Sequence, residues 1–206
     1  MSVDVILEDE RWNTLDLEGC SQTAFDAVMS YFNLIDAGFE CCVLGCDDTK
    51  ITELNGDFRD KPRATNVLSW PSEERAAKEA GARPDLPDAT FDPELGDIAI
   101  AYDTCLREAE AGKIAPQHHV THLIVHAVLH LLGYDHIRDQ DATLMEGIEI
   151  EILGNMGLRS PYCQQPQQQV GQMQGLSQRQ QCFVTHQLGI TLFGILMLQI
   201  QSKEFM

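Results

Sequence analysis

Six of the seven histidines in this 206-residue chain fall between positions 118 and 136: His118, His119, His122, His126, His130 and His136. On an α-helix His126 and His130 stand one turn apart on one face, close enough for both imidazoles to reach one divalent ion. Leu131-Leu132-Gly133 then ends the helix, because glycine takes the left-handed conformation that reverses the chain. That return brings His136 back toward the pair. HxxxHxxxxxH thus offers three neutral nitrogen ligands and an open coordination position, the pattern of a catalytic zinc site. The earlier trio His118, His122 and His126 does not, since residues eight apart lie about 12 Å apart along a helix axis. His122 is left as a support behind the ligands, a substrate-facing group or a partly exposed helix residue.

Metzincin proteases share this spacing, but they place a glutamate directly after the first histidine as general base. Here that position is Ala127. Without the carboxylate an amide hydrolase lacks its proton acceptor, so peptide hydrolysis is disfavoured while metal-water chemistry stays open.

The rest of the body reads as a small α+β fold: a mixed sheet of about four strands packed with five or so helices, one of them a zincin-like metal helix. Val3–Leu7, Phe39–Cys46, Thr65–Trp70 and Ile98–Tyr102 are the expected strands. Helices are expected over 17–35, from a cap at Asp48 or Thr49 through Leu54, and over 103–112, 117–132 and 140–154. The last places Met145, Ile148 and Ile152 at core spacing and Glu146, Glu149 and Glu151 largely elsewhere, on a solvated face or, for some of them, behind the histidines as supports. Residues 71–94 hold Pro71, Pro84, Pro87 and Pro93, too long a connection for a plain turn; a mobile flap beside a site and an inert insertion are both open. Cys20, Cys41, Cys42, Cys46 and Cys105 read as buried, inert thiols, since no second CxxC pair accompanies them.

Composition breaks after Tyr162. Ten of the nineteen residues 163–181 are Gln, a bias that cannot bury enough apolar surface to offset ordering entropy. The expected organisation is therefore a domain over 1–162 and a disordered tail over 163–206. The apolar run Leu188–Ile200 is too short to span a membrane. Fourteen Lys and Arg against thirty-two Asp and Glu give a formal charge of −18, which disfavours nonspecific attraction to a polyanion; any nucleic-acid role needs a local site. Residues 50–63 lean the other way, with Lys50, Arg59, Lys61 and Arg63 against Glu53, Asp57 and Asp60. No secretory signal pattern opens the chain and the cysteine count is odd, so a reducing cytoplasm is expected.

Over residues 55–160 the chain closely resembles the YbeY endoribonucleases, metalloproteins of ribosomal RNA maturation. The shared elements are Glu53-Leu54-Asn55, Phe58-Arg59, Thr65-Asn66-Val67-Leu68-Ser69-Trp70-Pro71, Leu95-Gly96-Asp97-Ile98 and the run from His122 to His136. Trp70 stands where the family usually has Phe, and Ser160-Pro161-Tyr162 matches the family's end. The resemblance implies a single-strand-specific, metal-dependent endoribonuclease acting in 16S ribosomal RNA maturation and ribosome quality control. Its implied cofactor is one zinc ion on His126, His130 and His136. Arg59 matches the family's cleft arginine, as catalytic and substrate-binding group, with His122 also toward substrate. The expected chemistry is attack by a zinc-activated water while the Arg59 guanidinium meets the developing phosphate charge. Expected partners are single-stranded ribosomal RNA, the small ribosomal subunit and a ribosome-associated GTPase; DNA and a membrane span are not expected.

Asp135 is open between orienting an imidazole and capping the next segment, and Asp97 between a site and a turn role. Two other readings stand beside the ribonuclease: a ribosome-assembly factor whose metal only secures the fold, and a zinc hydrolase of another substrate.

Overall fold

Short runs of β-branched and small apolar residues alternate with amphipathic stretches in the first hundred residues, and each run becomes a strand. The computed structural model describes residues 2–159. The chain divides into two compact units, Met1–Ile152 and Leu153–Met206. The fold is that of the first. The second is described only over 153–159, where the Leu158 amide donates to the Leu153 carbonyl at 2.9 Å. The Gln-rich stretch and the apolar run expected from 163 onward lie outside the described residues.

Chain order is β1 (Ser2–Leu7), a 3-10 turn (Glu10–Leu15), α1 (Leu17–Tyr31), β2 (Glu40–Cys46), α2 (Asp48–Arg59), β3 (Val67–Pro71), β4 (Glu94–Ala101), α3 (Tyr102–Gly112), α4 (Pro116–Leu131) and α5 (Asp139–Asn155). The sheet order is β1-β2-β4-β3. β1 and β4 run parallel to β2, and β3 pairs antiparallel to β4 as an edge strand. This is the expected mixed four-stranded α+β fold. The 3-10 turn was not expected. It is held by Asp9, whose side chain accepts from the Arg11 amide, and by Trp12, whose buried indole donates to the Cys46 carbonyl at 3.0 Å.

The pleat sorts the core. Leu68 and Trp70 of β3, Ala99 and Ala101 of β4 and Cys46 of β2 gather with Ile51 of α2 on one face. Ile98 and Ile100 point to the other, where α1 and α4 pack on each other and on the sheet. Phe25, Val28 and Met29 of α1 and Ile124, Val128 and Leu129 of α4 are fully buried there.

Element ends depart from expectation for local reasons. α2 is capped by Asp47, which accepts from the Lys50 amide at 2.8 Å, and runs on to Arg59 before Asp60 turns left-handed. α1 stops at Tyr31, short of Ile35. Instead of hanging free beside the site, the connection before β4 is strapped down. Arg75, nearly buried, donates to the Leu131 carbonyl and pairs with Asp92. Arg138 donates to the carbonyls of Ala77 and Lys78, and the Gly81 amide donates to Asp141 at 2.7 Å. Among the described residues no helix is long and apolar enough to cross a membrane.

Candidate metal centre

α4 starts at Pro116, whose missing N–H costs nothing in a first turn. It buries nearly its whole circumference, leaving His122, His126 and His130 half-buried on one side. The helix closes where the spacing predicts. The Gly133 amide donates to the His130 carbonyl and the Tyr134 amide to the Leu129 carbonyl. Gly133 has φ +90, and a Cβ there would lie 2.6 Å from the Arg75 carbonyl oxygen. Glycine is needed both for the turn and for the strap that crosses it.

Beyond that turn the chain returns His136 to the helix. One ligand atom each from His126, His130 and His136 lies within 4.8 Å of the others. The ring of His136 is 5.3 Å from that of His126 and 5.0 Å from that of His130. Asp135 accepts from the His136 amide at 2.6 Å, so its carboxylate shapes the turn.

The outer nitrogens fix the tautomers. His130 Nδ1 donates to the Tyr134 carbonyl at 2.9 Å, and His126 Nδ1 faces the Glu149 carboxylate at 3.2 Å. Both Nε2 atoms therefore carry lone pairs, and they lie 3.1 Å apart. Two lone pairs at that distance repel; a cation between them turns repulsion into coordination. Burial, with His126 and His136 beside it and the charge of Arg59 adding to the effect, pushes the His130 imidazole down to about 3. The neutral ring is the form that binds metal. The donor set fits a divalent ion held by nitrogen.

Of the three α5 glutamates that the sequence leaves open between solvent and support of the histidines, Glu149 is the one that supports them. It is fully buried, with one oxygen against His126 Nδ1 and the other against His122 Nε2. Burial alone would favour its neutral form, but the two histidines hold the carboxyl well below its ordinary range. A carboxylate behind a ligating imidazole sets ring orientation and basicity. Ile148 and Ile152 are buried as expected, and Glu151 accepts from the Tyr31 hydroxyl at 2.9 Å. One turn up α4, His119 meets Glu108 at 2.9 Å, and Glu108 also accepts from Asn66.

Arg59 ends α2 and reaches over the sheet edge, Nη2 donating to the Ser69 carbonyl of β3 at 3.4 Å. Asp97 lies within β4, opposite Trp70, not in a turn. Ala127 is buried, so no base stands at that position. Cys41, Cys46 and Cys105 are buried, whereas Cys20 and Cys42 are only partly so. Burial pushes the thiols of Cys41 and Cys46 up to about 12, which leaves them unreactive at neutral pH.

The family model described as Endoribonuclease YbeY matches residues 4–157. The endoribonuclease YbeY of Ruegeria sp. (strain TM1040) is 52% identical over 164 residues, covering 79% of this chain and 96% of that one. That of Paracoccus denitrificans is 54% identical over 160 residues, covering 78% and 89%. That of Ruegeria pomeroyi is 53% identical over 164 residues, covering 79% and 98%.

Proposed function

As the chain belongs to the endoribonuclease YbeY family, we propose that its three-histidine site cleaves single-stranded ribosomal RNA and that its resident ion is zinc. The observation that carries this reading is the convergence of His126, His130 and His136 with their outer nitrogens already engaged. When bound, the ion supplies Lewis acidity and lowers the pKa of water. Everything else falls to the chain. Arg59, reaching over the edge of β3, presents a planar fork to two nonbridging phosphate oxygens and meets the charge that builds on them. His122 works from behind Glu149, holding the carboxylate that holds His126, rather than by touching substrate. Asp135 sets the turn that aims His136.

The proposal extends to the expected setting: a domain over 1–162, in the cytoplasm, working on the small ribosomal subunit beside a ribosome-associated GTPase. A protein this acidic approaches RNA through a narrow site, and residues 58–63 are where its charge allows one.

The test is cleavage of a single-stranded ribosomal RNA fragment and its duplex by zinc-loaded protein, beside Arg59→Ala and His130→Ala. Cleavage of the single strand alone is expected. His130→Ala abolishes it together with bound zinc, and Arg59→Ala lowers kcat by roughly 10²- to 10³-fold with zinc retained. Unchanged activity in both variants would assign the cleavage to a contaminant and end the proposal.

A further inference from the structure

α2 ends in Phe58 and Arg59, and both residues clasp the edge strand β3. The Phe58 ring meets the Trp70 ring at a centroid distance of 5.4 Å and 62°; one residue along each element, Arg59 Nη2 meets the Ser69 carbonyl. Trp70 is anchored from below, packed on the cluster of Ile51, Leu68 and Ala99. Phe58 is not covered from above: it is 64% exposed. A large ring that rests on one aromatic neighbour and is otherwise exposed offers apolar, polarisable surface on which a flat partner can stack.

The surroundings say which. Arg59, Lys61 and Arg63 follow Phe58, all exposed, against Asp57 just before it and Asp60 among them, so the cations prevail by one. Asn55 fixes that loop, its buried side chain donating to the Arg63 carbonyl at 2.9 Å and its carbonyl accepting from the Lys61 amide at 3.1 Å. An exposed aromatic face flanked by cations on a prearranged backbone is how proteins hold single-stranded nucleic acid: cations follow the phosphates, and the ring takes a base. Phe91, still more exposed, lies in a stretch with Asp85, Asp88, Asp92 and Glu94 and with no Lys or Arg between 84 and 95, where nothing offsets the repulsion of a phosphodiester chain.

We infer that the open face of Phe58, backed by Trp70, is a stacking platform for one unpaired base of the RNA strand whose phosphate Arg59 contacts. The inference rests on the ribonuclease reading for the identity of the strand. A platform of this kind selects against duplex, because a paired base cannot leave its stack to lie on the ring without an unpairing cost.

The test measures binding of a 2′-O-methyl single strand, shown intact by gel after each titration, to full-length, zinc-loaded protein by fluorescence anisotropy, with an abasic site moved through every position. Phe58→Ala and Phe58→Leu are each expected to weaken binding about tenfold and to erase the wild type's penalty at one abasic position; Phe58→Tyr retains both. Phe58→Leu decides, since it keeps apolar contact with Trp70 and so preserves the fold. Wild-type affinity in Phe58→Leu, an abasic penalty that survives in it, or no binding of single strands at all overturns the platform. Binding that depends on Phe58 without any cleavage of the matching natural strand upholds the platform and removes the ribonuclease reading.

Discussion

His126 Nδ1 and a carboxylate oxygen of Glu149, twenty-three residues apart in sequence and on different helices, lie 3.2 Å apart. The carboxylate is fully buried and its second oxygen is taken by His122, so α5 holds the first ligand of α4 in one tautomer. Glu149→Gln keeps size and shape but replaces an ionised acceptor with a neutral amide, which also presents N–H groups to the imidazoles. Metal affinity should fall by about 10- to 100-fold, measured by chelator competition. An unchanged affinity would reduce Glu149 to a packing residue.

Gly133 is constrained twice over, by φ +90 and by the Arg75 carbonyl against the place of a Cβ. Gly133→Ala should therefore cost about 2 kcal/mol or more in urea unfolding. Metal affinity should drop with it, since the turn returns His136 to the helix. A stable variant with intact metal binding would mean that the strap yields easily.

The ligand trio was legible because it is local: two ligands on one helical face and a third just past a glycine turn, all within eleven residues. Which of Glu146, Glu149 and Glu151 supports the histidines was not, because Glu149 adjoins Ile148 at the border of the core stripe and is buried only where His122 and His126 face it. Arg59 came from the resemblance, with only the basic lean of residues 50–63 beside it, since nothing local in α2 announces its reach to the Ser69 carbonyl of β3. β4 was expected from Ile98 and starts at Glu94. Gly96-Asp97 reads as a turn, yet Gly96 packs so closely on the Trp70 carbonyl that any Cβ would collide with it. Pairing with β3 overrode the local signal.

Asp48 joins α2 to α3, accepting from the Thr104 amide at 3.0 Å and hydroxyl at 2.8 Å and pairing with Arg107 at 2.9 Å. Burial opposes its charge, but these bonds prevail and hold its carboxyl below the ordinary 3.8. A depressed carboxyl stabilises the fold above the unfolded pKa, and that contribution is lost as pH falls through the lower, folded value. Asp48→Asn should be about 1–2 kcal/mol less stable at pH 7, with the gap closing below pH 3.8. Urea midpoints at pH 7, 4 and 3 check this; a gap independent of pH would contradict it.

Charge on the strand-binding face is sparse: Arg59, Lys61 and Arg63 on an otherwise acidic chain. Three phosphate contacts on a single strand give a log-log salt slope near −2, so raising salt from 50 to 200 mM should weaken RNA binding by about twentyfold. A loss of several decades, in anisotropy titrations at fixed pH, would require a far broader cationic surface than residues 58–63 provide.

Removal of the ion should be felt by the fold as well as by catalysis. With both outer nitrogens engaged, the Nε2 lone pairs of His126 and His130 are left 3.1 Å apart, an arrangement that a cation stabilises and whose loss leaves repulsion behind. Linkage sets the scale: free metal at a hundred times Kd adds about 2.7 kcal/mol to unfolding. A chelator should therefore lower Tm by several degrees in the wild type and leave His130→Ala unmoved. Equal chelator shifts in both proteins would place the stabilising ion somewhere other than these histidines. No shift in the wild type would mean that the three rings hold their geometry without an ion, and the site would then have to be explained by packing alone.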